Sequence, residues 1–243
     1  MRELLSWARC LLIFWPVIFL VTLILEAVSL LAGVFDRSGR TRHAVARMWA
    51  AIALGMVARV RVSGRERIDA SKPRVYAANH LSALDIPLLY RYLPLLFRIM
   101  AHRRVFRVPL IGWWLRGSGS LEIAPESVAL SRRALREAVR TLRGGISLAI
   151  FPEGERSPTG QMLRFRRGAF YVAVKAQADI VPVAIVGTYE AMPVGSAHIR
   201  RRQLQIMIGQ PIAVAEYTLK DLNGLAERVQ SAVRELGETS AAD

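Results

Sequence analysis

The sequence predicts an α/β fold: a mixed sheet flanked by helices, with an N-terminal apolar helical hairpin that anchors to a membrane. Three observations predict it. From about residue 64, short β-branched runs alternate with helix-length amphipathic segments, the pattern of strands covered by helices. Between Cys10 and Phe35 the only charged residue is Glu26, so that stretch is apolar on every side. Of the 243 residues, 53% are hydrophobic, above the roughly 45–50% of ordinary globular chains, which excludes intrinsic disorder. The chain divides into a membrane-associating helical segment, residues 1–62, and an α/β domain, residues 63–243.

The stretch from Cys10 to Phe35 is long enough for a helix to cross the roughly 30 Å hydrocarbon layer, although Pro16 and Glu26 interrupt it. The run from Met48 to Ala58 is too short to cross. A polar basic turn from Asp36 to Arg42 lies between them. Arg2 and Arg9 precede the first run, and Arg47, Arg59 and Arg61 flank the second. Basic residues at both ends favour a hairpin held in one leaflet over a single spanning helix, which usually shows charge asymmetry. A secretory signal is disfavoured by the length of the run and by Ala32-Gly33-Val34, a poor cleavage site. A buried core helix is the remaining alternative.

Arg74 to Ala78 reads as a short buried strand, Leu84 to Leu96 as a helix, Phe97 to Ala101 as a strand, and Ser120 to Ile123 as a weaker strand. Ser127 opens an amphipathic helix that stops at Gly144-Gly145. Its apolar stripe is Val128, Leu135, Val139 and Leu142, and its wet face carries five arginines from Arg132 to Arg143. Ile146 to Phe151 is the clearest strand. A helix over Gly168 to Ala176, strands over Ile180 to Val186 and Leu204 to Ile208, and a closing helix over Glu216 to Leu236 complete the order.

The net charge is +15, and only three of the 34 basic residues are lysine (Lys72, Lys175, Lys220). So basic a chain calls for an anionic partner: nucleic acid, anionic lipid, or an acidic protein or cofactor. The arginines are dispersed and no nucleic-acid motif is present, so no nucleic-acid partner is expected. The single cysteine, Cys10, excludes a disulfide framework and a thiolate-rich metal site. No cluster has metal-ligand spacing, and no metal is expected.

Two constellations carry chemistry. Asn79-His80-Leu81-Ser82-Ala83-Leu84-Asp85 follows a buried strand and opens a helix. His80 and Asp85, five apart across that junction, can pair so that the carboxylate orients the imidazole and leaves its second nitrogen free to take a proton. A satisfied core histidine, with Asp85 as a first-turn helix acid, is the plain alternative. Phe151-Pro152-Glu153-Gly154-Glu155-Arg156-Ser157 also ends a strand. Pro152 and Gly154 favour an irregular turn that presents Glu153 and Arg156. Arg156 can fork onto phosphate or carboxylate oxygens, or Glu153 and Arg156 can simply pair and fix the turn. The basic loop Arg164-Phe165-Arg166-Arg167 suits lipid headgroups or donor phosphates, or is a solvated loop. His198 with Arg200 to Arg202 reads the same way. His43 and His102 have no partner at catalytic spacing.

Together these motifs resemble the glycerolipid acyltransferase family, the PlsC-like group of 1-acylglycerol-3-phosphate and lysophospholipid acyltransferases. The family's N-H-x-x-x-x-D is matched by Asn79, His80 and Asp85. Its F-P-E-G-x-R-S is matched by Phe151 to Gly154, Arg156 and Ser157, and its V-P-V by Val181-Pro182-Val183. Arg107 to Trp113 resembles its I-P-x-x-G-W segment, and the whole resemblance covers about residues 60 to 210. It implies an acyltransferase of phospholipid biosynthesis, in which His80, oriented by Asp85, takes the proton from a lysolipid hydroxyl. That oxygen then attacks the thioester of acyl-CoA or acyl carrier protein, with no further cofactor and no acyl-enzyme. It implies Asn79, Arg103, Glu153, Gly154 and Arg156 as substrate-binding residues, with the Gly154 backbone or Asn79 as candidates to hold the oxyanion. It implies a cytoplasmic or inner membrane location with the site facing the cytoplasm.

Four positions depart from the family pattern. Arg103 stands where a lysine is usual and Arg104 where a glutamate is usual. Glu155 replaces a threonine. Pro125 stands where an arginine helps bind acceptor phosphate, and proline offers neither charge nor donor. The acceptor is therefore either of the 1-acylglycerol-3-phosphate type or a non-phosphoglyceride such as a lyso-aminolipid.

Overall fold

The computed structural model describes residues 2–33, 36 and 38–239. Val34 and Phe35, which close the apolar run, and Arg37 in the basic turn lie outside the described residues. Helix α1 (Arg2–Arg9), a π-helical stretch (Cys10–Phe14) and α2 (Trp15–Gly33) follow one another, and α3 (Arg40–Val57) packs against α2. Between them, Asp36 accepts the N–H groups of Ser38 (2.8 Å) and Thr41 (2.6 Å), and Gly39 takes φ 74°. Arg40 to Arg42, expected in the turn, therefore form the first turn of α3. The Met48–Ala58 run supplies most of the rest of that helix.

Strand β1 (Ala58–Ser63) was not expected. It begins inside the segment assigned to the helical hairpin. Arg59 and Arg61, which read as headgroup flanks, are exposed residues, with Ser63, of a strand whose burial alternates. Charges of this kind on an edge strand discourage pairing with another chain.

The remaining elements are β2 (Val75–Ala78), α4 (Asp85–Tyr92), β3 (Phe97–His102), α5 (Arg103–Phe106), α6 (Ile111–Gly117), β4 (Leu121–Ile123), α7 (Val128–Arg143), β5 (Ser147–Ile150), α8 (Gly168–Ala176), β6 (Ile180–Val186), α9 (Thr188–Ala191), β7 (Arg202–Ile208) and α10 (Leu222–Thr239). They form a seven-stranded mixed sheet in the order β1-β7-β6-β2-β5-β3-β4. Only β6 and β7 are antiparallel; β6, β2, β5, β3 and β4 run parallel. Val75 to Ala78 are all fully buried, as an interior parallel strand requires. Their side chains alternate between two cores. Tyr76 and Ala78 face α3 and α4, and Val75 and Ala77 face α7, α8 and α10.

The amphipathic helix has the expected bounds, but its stripe differs. Val128 is 67% exposed, while Ala134, Ala138 and Leu142 are buried. Small alanines bring α7 close to the sheet. The closing helix begins at Leu222, later than expected, after Asp221 has bonded Thr218. Because five neighbouring strands are parallel, the loops after β2, β5, β3 and β4 meet at one end of the sheet, where open α/β folds place their ligands.

Candidate active site

His80 leaves the carboxyl end of β2, and Asp85 opens α4. The His80 Nδ1 lies 2.9 Å from Asp85 Oδ2. That same oxygen accepts the N–H groups of Leu81 (2.7 Å) and Ser82 (2.8 Å). Three donors converge on it in a site where the Asp85 side chain is 0% exposed, so the carboxylate cannot turn away. The imidazole stacks on Phe151 at 3.9 Å, with 13° between the rings. The pair fixes the ring in both position and tilt, and among the described residues Nε2 is the free nitrogen.

The backbone of His80 is held independently of its ring. Glu153 Oε1 accepts the His80 N–H at 2.7 Å, and Oε2 accepts the Leu163 N–H at 2.8 Å. The His80 carbonyl accepts the Ser157 N–H at 2.9 Å. The loop after β5 thus grips the loop after β2 from both sides. Glu153 is buried, and its oxygens face the protein's own backbone instead of an open surface. Asn79 differs from expectation in the same way. Buried, it donates to the Ile185 carbonyl (2.8 Å) and accepts the Ile185 N–H (2.7 Å), extending the β2–β6 ladder with its side chain. The Gly154 N–H donates to the Phe151 carbonyl. Both oxyanion candidates therefore have their donors engaged within the protein. Gly154 has φ +82° with the Arg166 guanidinium close by, so a side chain there would be strained as well as crowded.

Arg156 is exposed on the same loop, and among the described residues it has no ion-pair partner. Arg103 stands at the end of β3, about 10 Å across the sheet from β2 by strand spacing, and pairs with Glu122 at 3.2 Å. Pro125 is exposed after β4. In the basic loop, Phe165 is buried and its N–H bonds Gln230. Arg166 pairs with Glu155 at 2.8 Å, and Arg164 with Glu227 at 3.8 Å. These arginines line a cleft of about 540 Å³ between this loop and α10. His198 is not a solvated loop residue: it is buried, stacks on Trp7 at 4.4 Å and bonds Ser6. His43 lies in the core between Tyr90 and Phe97, and burial pushes its imidazole down to about 4.

Several residues of the site lacked an assigned role in the sequence. Ser82 donates its hydroxyl to the Met192 carbonyl at 2.7 Å, tying the His80 loop to the segment after β6. Phe151 and Ser157 stood in the second motif, but only the fold shows that one carries the imidazole ring and the other caps its carbonyl.

Glu153 gives a pH prediction. Burial, opposed by its two N–H bonds, pushes its carboxyl from 4.5 up to about 7. Below pH 4.5 it is protonated in folded and unfolded chains alike. Above that, the unfolded chain releases its proton first. Glu153 therefore makes stability greatest at acid pH and lowers it between 4.5 and 7, by on the order of 3 kcal/mol, with no further change above. In a Glu153→Gln variant this fall is expected to vanish. Urea unfolding of both proteins across that pH range checks it; parallel curves would show that Glu153 does not titrate there.

The family model described as Acyltransferase matches residues 59–186. The chain is 33% identical over 174 residues to the chloroplastic 1-acyl-sn-glycerol-3-phosphate acyltransferase of Arabidopsis thaliana, covering 70% of this chain and 48% of that protein. It is 32% identical over 196 residues to the 1-acyl-sn-glycerol-3-phosphate acyltransferase of Saccharomyces cerevisiae, covering 75% and 62%. Among solved structures, the 1-acyl-sn-glycerophosphate (LPA) acyltransferase PlsC of Thermotoga maritima superimposes with a TM-score of 0.86 at 25% identity, covering 100% of this chain and 99% of that one. The chain spans about half the length of the first of its curated relatives.

Proposed function

The chain belongs to the acyltransferase family, and from that premise we propose that it transfers an acyl chain from a thioester to the free hydroxyl of a 1-acylglycerol-3-phosphate-type lysolipid at a membrane surface. The observation that carries this reading is the His80–Asp85 pair, with one imidazole nitrogen held by a buried carboxylate and the other free. His80 Nε2 takes the acceptor's hydroxyl proton as the oxygen attacks the thioester carbonyl carbon. The tetrahedral intermediate expels the thiolate, and the imidazolium returns the proton to the leaving sulfur. Protons and bonds balance without an acyl-enzyme. The donor is acyl-CoA or acyl carrier protein. Asn79 and Glu153 act as positioning residues, because their polar atoms are engaged by Ile185, His80 and Leu163.

We assign the acceptor phosphate to Arg156, exposed on the loop after β5, with Arg103 one loop further along the sheet end as a second contact. Replacing Arg156 by Ala is expected to raise KM for a phosphate-bearing acceptor about 10–100-fold, the worth of one charge-assisted contact, with a smaller change for a neutral acceptor. Pro125 favours a second reading, in which the acceptor is a lyso-aminolipid without a glycerol phosphate. Thiol release measured against a panel of lysophosphatidate and lyso-aminolipid acceptors decides between them. No thiol release with any acceptor would sink both.

The membrane reading rests on α1 to α2. Residues Glu3–Leu31 form a helix long and apolar enough to cross a bilayer, with a mean hydropathy of 2.5 over an 18-residue window. Yet this helix is bonded to the rest of the protein along its length. Cys10 meets Ile199, Trp15 donates to the Ala197 carbonyl, Trp49 donates to Thr22, and the Arg42 guanidinium packs on Gly33. A spanning α2 would drag the α/β domain into the hydrocarbon. A helix lying in one leaflet keeps these contacts and still buries its outer face, on which Leu12, Phe19 and Leu31 are exposed. We place that leaflet on the cytoplasmic side of the cytoplasmic or inner membrane, where anionic lipids attract a chain of charge +15.

A further inference from the structure

The connection from β3 to β4 is apolar on its outer side and has no protein cover. Val105, Val108, Ile111 and Trp113 are all exposed, Trp113 by 54%. The opposite side of the same short helices is packed. Phe106 and Leu115 are buried, Trp114 meets Tyr90 edge-on at 5.3 Å, and a Cβ on Gly112 would stand only 2.0 Å from the Phe106 carbonyl oxygen. Adjacent tryptophans thus point in opposite directions, one into the core and one out. The backbone is forced to achieve this. Leu110 has φ 63° and ψ −60°, and the Ile111 N–H bonds the Pro109 carbonyl at 2.7 Å. This is the rare γ-turn with positive φ, which persists only where surrounding structure imposes it.

Two features say what covers the patch. Arg104 and Arg107, exposed beside it, have no ion-pair partner among the described residues, and suit anionic headgroups. The patch also continues the apolar face of the N-terminal helix: α6 packs on α2, and the Arg42 guanidinium lies against both Gly33 and Gly117. We propose that α5 and α6 form a second bilayer contact. In it Val105, Val108, Ile111 and Trp113 enter the same leaflet as α2 while Arg104 and Arg107 engage anionic phospholipids. This rests on the reading of α2 as a one-leaflet helix. The patch lies at the carboxyl end of β3, the end of the sheet that carries His80, so the contact brings the acceptor's leaflet to the mouth of the site.

The test uses the full chain, whose only cysteine, Cys10, is buried. Single variants Ile111→Cys, Leu20→Cys on the exposed face of α2, and Arg136→Cys on the opposite face of the sheet are labelled with an environment-sensitive fluorophore. They are then mixed with vesicles of phosphatidylcholine and phosphatidylglycerol. Blue-shifted emission, quenched by spin-labelled acyl chains, is expected at 111 and 20 and absent at 136. A shift at 20 without one at 111 overturns the second contact and leaves the one-leaflet reading of α2 standing. No shift at either position overturns both, and an equal shift at 136 shows adsorption without a docking face and also overturns the proposal. As a second measurement, Trp113→Asp is expected to weaken vesicle affinity about tenfold or more, as the loss of one buried aromatic implies. Turnover of a monomeric short-chain acceptor is expected to stay unchanged. Unchanged vesicle affinity counts against the contact.

Discussion

A His80→Ala variant is expected to keep its fold and lose about 10²–10⁴-fold in acyl transfer, the usual worth of a positioned general base. Both halves of that expectation come from the geometry. The loop that carries His80 is held through its backbone, by Glu153 on the N–H and Ser157 on the carbonyl, and neither bond needs the ring. Asp85 keeps the N–H groups of Leu81 and Ser82 after the imidazole is gone. The ring's own two contacts are lost: the stacking on Phe151, at about 0.5–1.5 kcal/mol, and the bond to Asp85, at about 1.5–3 kcal/mol. Activity, by contrast, has no substitute, because the free Nε2 is the one base this loop presents. Free thiol released from acyl-CoA, read beside the thermal midpoint, checks both halves. A variant that folds and turns over like the parent would remove His80 from the chemistry.

Much of the fold and the core of the site could be read from the residues. The strand from Ile180 to Val186 and the helix from Gly168 to Ala176 have the expected bounds, because a run rich in β-branched residues and a run bounded by Gly168 and Gln177 admit few alternatives. The His80–Asp85 pairing follows from spacing across a strand-to-helix junction. What stayed hidden depends on partners remote in sequence. In Ala58-Arg59-Val60-Arg61-Val62 the alternation of a strand was present, but its arginines also suited a membrane flank, and only pairing with β7 decides between them. Asn79 looked like a substrate group because it stands beside His80. It is occupied by Ile185, 106 residues away. Glu153 and Arg156 could pair locally on sequence grounds. Instead Glu153 turns inward to two backbone N–H groups and Arg156 is left outside. The short helices α5 and α6 depend on the Leu110 turn and the close approach at Gly112, which no periodicity announces.

The second large effect is expected at Asp85, where two substitutions separate charge from scaffolding. All three of its bonds fall on Oδ2, and among the described residues Oδ1 is buried without a partner. Asparagine can place its carbonyl where Oδ2 was and keep every one of those bonds. Its amide nitrogen then takes the place of Oδ1 and lacks an acceptor, at a cost of about 1–3 kcal/mol. Alanine removes the acceptor altogether and leaves the Leu81 and Ser82 N–H groups buried and unmet, about 2–6 kcal/mol in all. Asp85→Ala should therefore unfold far more readily than Asp85→Asn. Activity is expected to rank differently. If the negative charge stabilises the imidazolium formed as His80 takes the acceptor proton, Asp85→Asn should lose about 10²–10⁴-fold in kcat despite its intact hydrogen bonds, with KM little changed. Steady-state kinetics beside urea unfolding of both variants checks this. Asp85→Asn with parental kcat would mean that the carboxylate serves only to hold the loop and the ring, and that its charge contributes nothing to the proton transfer at His80.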